Sequence, residues 1–160
     1  MAKAAVRPPP GQDLHETDLY LWTQAQAALL RAGRWQDADL NHLAEEIESL
    51  GGSQKSEIRN RLAILIQHLL KWEFQPQKRK YGWRASIVEQ RLQIDGLLDV
   101  SPSLKPWPEA VLAKAYRLAR VRAAEETGLS ERGLPETCPY SLQQIMDDGF
   151  YPGPVEPDVL

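Results

Sequence analysis

The most constraining feature of this sequence is the spacing of its apolar residues, which recur every three or four positions. Residues spaced in this way lie on one face of an α-helix, whereas a half-buried β-strand needs strict alternation. Between Ser53 and Phe74 the apolar positions cover more than half of the helical circumference, which is typical of a helix in the middle of a bundle. No stretch alternates for long enough to form a strand, so the sequence predicts an all-α fold.

Helix start and stop signals divide the chain into a single compact helical bundle of five main helices plus a short C-terminal helix. Short acidic side chains favour helix N-caps, and glycines favour helix ends. The predicted helices run from Asp13 or Asp18 to Gly33, from Asp37 or Asp39 to Gly51-Gly52, from Ser53 to Phe74, from Gly82 to Leu98, and from Pro106 or Pro108 to Thr127, with the short helix capped by Ser141 and Gln144.

Chain length and composition bound the domain organisation. A chain of 160 residues with 42% hydrophobic residues allows one domain with one core. We expect a flexible leader over residues 1–12, a single helical domain over 13–151, and a loose tail over 152–160, because prolines crowd both ends. A lone cysteine, Cys138, and the lack of a long apolar run favour a cytoplasmic protein with no membrane contact.

The formal net charge of −3 conceals an uneven distribution. Residues 1–12 carry two bases and no acid, and residues 13–57 carry three bases and nine acids. Residues 58–122 carry thirteen bases and five acids, and residues 123–160 carry one base and eight acids. Two explanations stay open: the acidic segments complement the basic centre within the fold, or the basic centre faces a polyanion.

Helical projection places Arg91 inside an apolar stripe, with Ile87 four residues before it and Ile94 three residues after it. A guanidinium in that position needs a partner, because burying an unpaired charge costs several kcal/mol. The sequence therefore predicts a carboxylate partner for Arg91.

The same projection places Glu46 and Glu48 on either side of the apolar stripe of their helix and His68 at the border of another. We therefore expect a partly buried polar cluster of Glu46, Glu48, His68 and Arg91. A structural network that fixes helix register is one interpretation. The alternative is a small enzyme or anion-binding site, in which a carboxylate orients His68 and Arg91 binds an anion.

Signals for other chemistry are weaker. The Glu-x-x-His pattern of di-metal helical bundles is absent, and His15 lies close to the leader, so we expect no metal site. Cys138 has no basic neighbour in sequence to activate it. Phosphate-binding and dinucleotide-binding glycine motifs are also absent, so no cofactor is implied and the sequence leans away from an enzyme.

The segment 71–84 combines cations with aromatic residues, a mixture that neutralises phosphates and stacks on bases. One interpretation of this mixture is a nucleic-acid patch. The simpler interpretation is that the tryptophans anchor the core and the cations are solvated. The cations of this patch are Lys71, Lys78, Arg79, Lys80 and Arg84, interleaved with Trp72, Phe74, Tyr81 and Trp83; a second basic row has Lys114, Arg117 and Arg120 at intervals of three.

Several ordered motifs resemble the bacterial family catalogued as domain of unknown function 29, over about residues 13–151. The resemblance implies a mainly helical cytoplasmic protein and no established activity. The motifs are Asp18…Trp22…Gln26…Leu30, Asp39…Leu43-Ala44-Glu45-Glu46-Ile47-Glu48, His68-Leu69-Leu70-Lys71-Trp72, Trp83…Gln90-Arg91…Ile94, Pro102-Ser103-Leu104 and Cys138-Pro139-Tyr140.

Together these observations favour a non-enzymatic protein-binding or regulatory module that forms a homodimer or binds another protein. Five tryptophans and an alanine-rich helix offer material for such an interface. The nucleic-acid patch and the site at Glu46, Glu48, His68 and Arg91 are the alternatives.

Overall fold

A computed structural model describes residues 13–155, and within them the protein is helical and contains no strand. The all-α prediction is thus confirmed. The predicted leader, residues 1–12, lies outside the described residues. The α-helices are α1 (Leu14–Thr17), α2 (Leu19–Arg31), α3 (Leu40–Phe74), α4 (Tyr81–Val100), α5 (Trp107–Thr127) and α6 (Leu142–Met146), and short 3-10 turns cover Trp35–Asp37, Pro76–Lys78, Pro102–Leu104 and Glu131–Gly133.

The predicted helix end at Gly51-Gly52 is wrong, because α3 is one continuous helix of 35 residues. The described part of the chain therefore has four long helices rather than five. A glycine inside a helix costs only about 1 kcal/mol relative to alanine, which the rest of a long helix can offset. Neither glycine has the positive φ of a helix terminator, whereas Gly33 and Gly128 do.

The chain divides into two compact units, one ending at Gly52 and one beginning at Ser53. The single domain over residues 13–151 stays a prediction. In the first unit, the Asp18 side chain accepts a hydrogen bond from the Leu21 amide and so caps α2. Among residues 13–52 only Trp22 and Gln26 are buried, so this unit has almost no core of its own.

The second unit holds the hydrophobic core. Three helices supply most of it, and small residues of α5 are among the buried ones. The predicted capping box of α6, formed by Ser141 and Gln144, is also present. Core residues include Leu62, Leu65, Ile66 and Leu69 of α3, Ile87 and Ile94 of α4, Ala115, Ala119 and Ala123 of α5, and Ile145 of α6.

The loose tail predicted over residues 152–160 stays a prediction. Its residues 156–160 lie outside the described part of the chain, and its first residues are hydrogen-bonded. Arg79 donates to the carbonyls of Pro152 and Pro154, and it also donates to the Trp72 carbonyl. Gly153 has a φ of +88°, and a Cβ there would come within 3.3 Å of the Glu73 backbone. A single arginine therefore fixes residues 152–154 against the end of α3. Of the residues that the structure describes, none lies in a helix long and apolar enough to cross a membrane.

Candidate functional site

Arg91 is buried as predicted, with about 1% of its surface exposed, but its hydrogen-bond acceptors are not carboxylates. Its Nε donates to the Ile145 carbonyl at 2.8 Å and its Nη2 to the Phe150 carbonyl at 2.8 Å. A longer bond of 3.4 Å joins Nη1 to the Asp148 carbonyl. Backbone carbonyls at and beyond the end of α6, which no helix neighbour satisfies, thus take the place of the expected carboxylate.

The other three residues of the predicted polar cluster have different surroundings. Glu46 lies in the first unit and makes a 2.7 Å hydrogen bond with Nε2 of His15. Glu48 is exposed, also on the first part of α3. His68 lies in the second unit, where its Nδ1 donates to the Ile64 carbonyl at 2.9 Å. Glu46, His68 and Arg91 each have partners outside the predicted cluster.

The first unit contains a histidine cluster that sequence reasoning missed, formed by His15, His42, Trp22, Asp39 and Glu46. The rings of His15 and His42 are stacked, with centroids 4.1 Å apart and planes 11° apart. Asp39 accepts from Nδ1 of His42 at 2.6 Å, and the Trp22 indole packs edge-on against His15. The i,i+3 spacing of Asp39 and His42 could have signalled the first contact, but nothing local links either residue to His15.

The histidine cluster does not have the geometry of a metal centre. Imidazole lone pairs lie in the ring plane, so the lone pairs of two parallel stacked rings do not converge on one ion. Among residues 13–155 no group of three or more His, Cys, Asp or Glu side chains is placed to hold a metal ion. Each histidine instead pairs with one carboxylate, and the cluster joins α1, α2 and the start of α3.

The histidine environments predict opposite pKa shifts. The hydrogen bond to Asp39 raises the pKa of His42 above its usual 6.5, and Asp13 and Glu45 act in the same direction. Burial lowers the pKa of His68. In an NMR titration we therefore expect His42 to titrate above 6.5 and His68 below it. Because the pKa of His42 is raised by folding, its contribution to stability is complete below pH 6.5 and is lost as the pH rises through the folded pKa.

Asp39→Asn provides the matched variant for this titration. The Asp39 side chain accepts a bond from the His42 amide at the start of α3, and asparagine can keep that cap while it removes the charge. The pKa of His42 should fall towards its ordinary value, and the pKa of His68 should not move. A His42 pKa at or below the ordinary value in the unaltered protein would contradict the contact with Asp39.

Most cations of the predicted nucleic-acid patch are engaged within the second unit. Lys71 is buried, and its Nζ lies 2.5 Å from Glu126 and 4.7 Å from the Trp83 ring centroid. Besides its bonds to carbonyls, Arg79 lies over the Trp72 ring. The other members are Arg84, which lies over Tyr151, Lys80, which is exposed near Trp83, and Lys78, which is exposed.

One thiol and two tyrosine hydroxyls of the second unit have surroundings that favour their protonated forms. Burial raises the pKa of the Cys138 thiol, which disfavours the nucleophilic thiolate. Burial also raises the pKa of Tyr140, whose hydroxyl donates to Glu73 at 2.5 Å. The pKa of Tyr116 rises to about 12 for the same reason, and its hydroxyl donates to the Pro135 carbonyl. The two tyrosine hydroxyls hold the segment after α5 in place.

The first part of α3 carries an exposed apolar stripe, which we define as Leu40, Leu43, Ile47 and Leu50. Leu40 is 56% exposed, Ile47 68% and Leu50 69%, whereas Leu43 is half-buried. Their spacing of three and four residues is the heptad spacing with which one helix packs against another. Leu40, Ile47 and Leu50 therefore remain largely uncovered within the described part of the protein.

The fold and this stripe define an all-α protein whose first unit exposes an apolar helical face. The chain belongs to the family described as domain of unknown function DUF29, whose model matches residues 14–151. The predicted family resemblance is thus confirmed. No curated protein and no solved structure matches the chain.

Proposed function

We propose that this protein is a non-enzymatic protein-binding module, and that its apolar stripe binds a basic amphipathic helix of another protein. The observation that carries the proposal is the exposure of Leu40, Ile47 and Leu50 at heptad spacing. Burying a side chain of this kind stabilises a complex by about 1.5–3 kcal/mol. The face thus has enough apolar surface to anchor a helix in the manner of helix-in-groove recognition.

Charge indicates the chemistry of the partner. Residues 13–52 contain eight acidic and only two basic residues. Glu46 and Glu48 flank the stripe on its two sides, and Glu48 is exposed. Lysine or arginine beside the apolar residues of a partner helix would meet these carboxylates, and opposite charges at such flanking positions set partner choice.

A second copy of this chain fits the stripe less well. Two first units would each bring six more acidic than basic residues to the interface. Like charges across an interface are unfavourable and select against wrong partners. A homodimer through this face is therefore an outcome of the test and not the proposal.

A fluorescence anisotropy titration of the full chain tests this proposal with a synthetic helical peptide that has leucine at its a and d positions and lysine elsewhere. We expect saturable binding that weakens as salt rises, because the flanking charges are exposed. Ile47→Gln is expected to weaken binding about tenfold or more, which corresponds to the loss of one buried aliphatic side chain. Leu92→Gln is the matched control, since Leu92 on α4 is 64% exposed and lies outside the stripe.

Two outcomes would overturn the proposal. Equal binding of the unaltered protein and the Ile47→Gln variant would show that the stripe is not the docking face. A concentration-dependent dimer in light scattering that Ile47→Gln dissociates would replace the basic partner with a second copy. A peptide with glutamate in place of lysine should not bind, and its binding would remove the charge argument.

A further inference from the structure

A second feature, independent of the stripe, is a basic cavity in the second unit between α5 and the turn at Glu131–Gly133. The cavity is shallow, has a volume of about 510 Å³, and lies in the size range of small-molecule sites. Three cations and one carboxylate line it. The lining residues are Lys114, Arg117, Leu118, Arg120, Val121 and Glu131.

The cations of the basic cavity are poorly balanced by the protein. Lys114 and Arg117 are exposed, and within residues 13–155 neither makes a hydrogen bond or an ion pair. Arg120 donates from Nη2 to the Glu131 carbonyl at 2.6 Å, while its buried Nε has no partner among the described residues. Like charges three residues apart on a helix are mildly unfavourable, so an anion bound among them would be stabilising.

The wall opposite α5 is fixed in position. Leu134 is buried in the core, and the Tyr116 hydroxyl donates to the carbonyl of Pro135. Together with the bond from Arg120 to Glu131, these contacts anchor the turn at both of its ends. The backbone of this wall therefore needs little ordering when a ligand binds.

We propose that the basic cavity binds a phosphomonoester, with the phosphate at Lys114, Arg117 and Arg120 and a small apolar group against Leu118 and Val121. Arginine side chains match the paired oxygens of a phosphate and make charge-assisted hydrogen bonds to it. Leu118 and Val121 line the same cavity and favour a ligand with an apolar substituent.

Isothermal titration of the full chain with phenyl phosphate and with inorganic phosphate, at constant ionic strength set by sodium chloride, tests this site. We expect saturable binding of both anions, with phenyl phosphate several-fold tighter. Arg117→Gln should weaken binding of phenyl phosphate about tenfold, since it removes a positive charge and a charge-assisted hydrogen bond to the phosphate. Lys105→Gln, which removes an exposed lysine outside the cavity, should leave binding unchanged.

The site would be refuted by binding that does not saturate, or by equal binding of the Arg117→Gln variant. A single-stranded oligonucleotide provides a second arm of the experiment. If it binds more tightly than phenyl phosphate, with a steep salt dependence that Arg117→Gln reduces, the row of cations serves nucleic acid and not a small phosphomonoester. The protein-binding proposal is unaffected by either result, because the stripe lies in the other unit.

Discussion

Arg91→Met is expected to lower the free energy of unfolding by about 3–5 kcal/mol, because it leaves backbone carbonyls without donors inside the protein. Arg91 is about 1% exposed, and its guanidinium donates to the carbonyls of Ile145, Asp148 and Phe150. Hydrogen bonds to a charged group are each worth about 1.5–3 kcal/mol, and the apolar methionine side chain offsets only part of their loss. Urea denaturation of the full chain measures the effect.

Two further variants sharpen the test of Arg91. Arg132→Met makes the same substitution at an exposed arginine, and it should change stability by less than about 0.5 kcal/mol. Arg91→Lys keeps the charge but removes the planar guanidinium that donates to several carbonyls at once. Its loss in free energy of unfolding should therefore be most of that of Arg91→Met. A loss of less than about 1 kcal/mol for Arg91→Met would mean that these hydrogen bonds add little to stability.

Trp22→Ala is expected to unfold the first unit locally. Trp22 is 3% exposed and is, with Gln26, one of only two buried side chains within residues 13–52. It contacts His15 and its indole nitrogen lies 3.4 Å from the Asp39 carboxylate, so its loss removes both packing and a hydrogen bond from α2 to the residue that precedes α3. Truncating a buried tryptophan costs about 3–5 kcal/mol, which is more than so small a unit can spare.

Amide hydrogen exchange distinguishes this local effect from global unfolding. Protection of the amides in α2 should fall about 100-fold or more, which is the change that about 3 kcal/mol produces. Amides of α4 and α5 should keep their protection, since the second unit has its own core. Trp35→Ala is the matched control, because Trp35 lies in the same unit and is 56% exposed. Unchanged protection of α2 in the Trp22→Ala variant would contradict the role of this side chain.

Local rules failed at Gly51-Gly52 for an identifiable physical reason. Glycine favours a helix end only where the backbone adopts positive φ, and sequence cannot show which glycines do so. Gly33 and Gly128 end helices in this way, whereas Gly51 and Gly52 stay helical because the hydrogen bonds of α3 continue through them. The apolar positions on both sides of the glycines are equally periodic, so they gave no sign of whether α3 continues.

Long-range contacts account for the incomplete site predictions. Projection of one helix showed that Arg91 is buried, but its acceptors lie 54 to 59 residues away. His15 and Glu46 are 31 residues apart, and no pattern in the sequence joins them. The cations of the segment 71–84 could not be sorted from sequence for the same reason. Lys71 pairs with Glu126, which is 55 residues away, and nothing local distinguishes it from an exposed lysine.

The sequence by itself determined the helical class, the cap of α6, the burial of Arg91 and the family, since each depends on short-range spacing or on ordered motifs. Only the tertiary structure decided which apolar residues lack a partner. Leu40, Ile47 and Leu50 have the periodicity of core residues, yet they are exposed because too little of the first unit packs against α3 to cover them. Burial depends on what lies opposite a helical face, and the spacing of residues along one helix does not specify that.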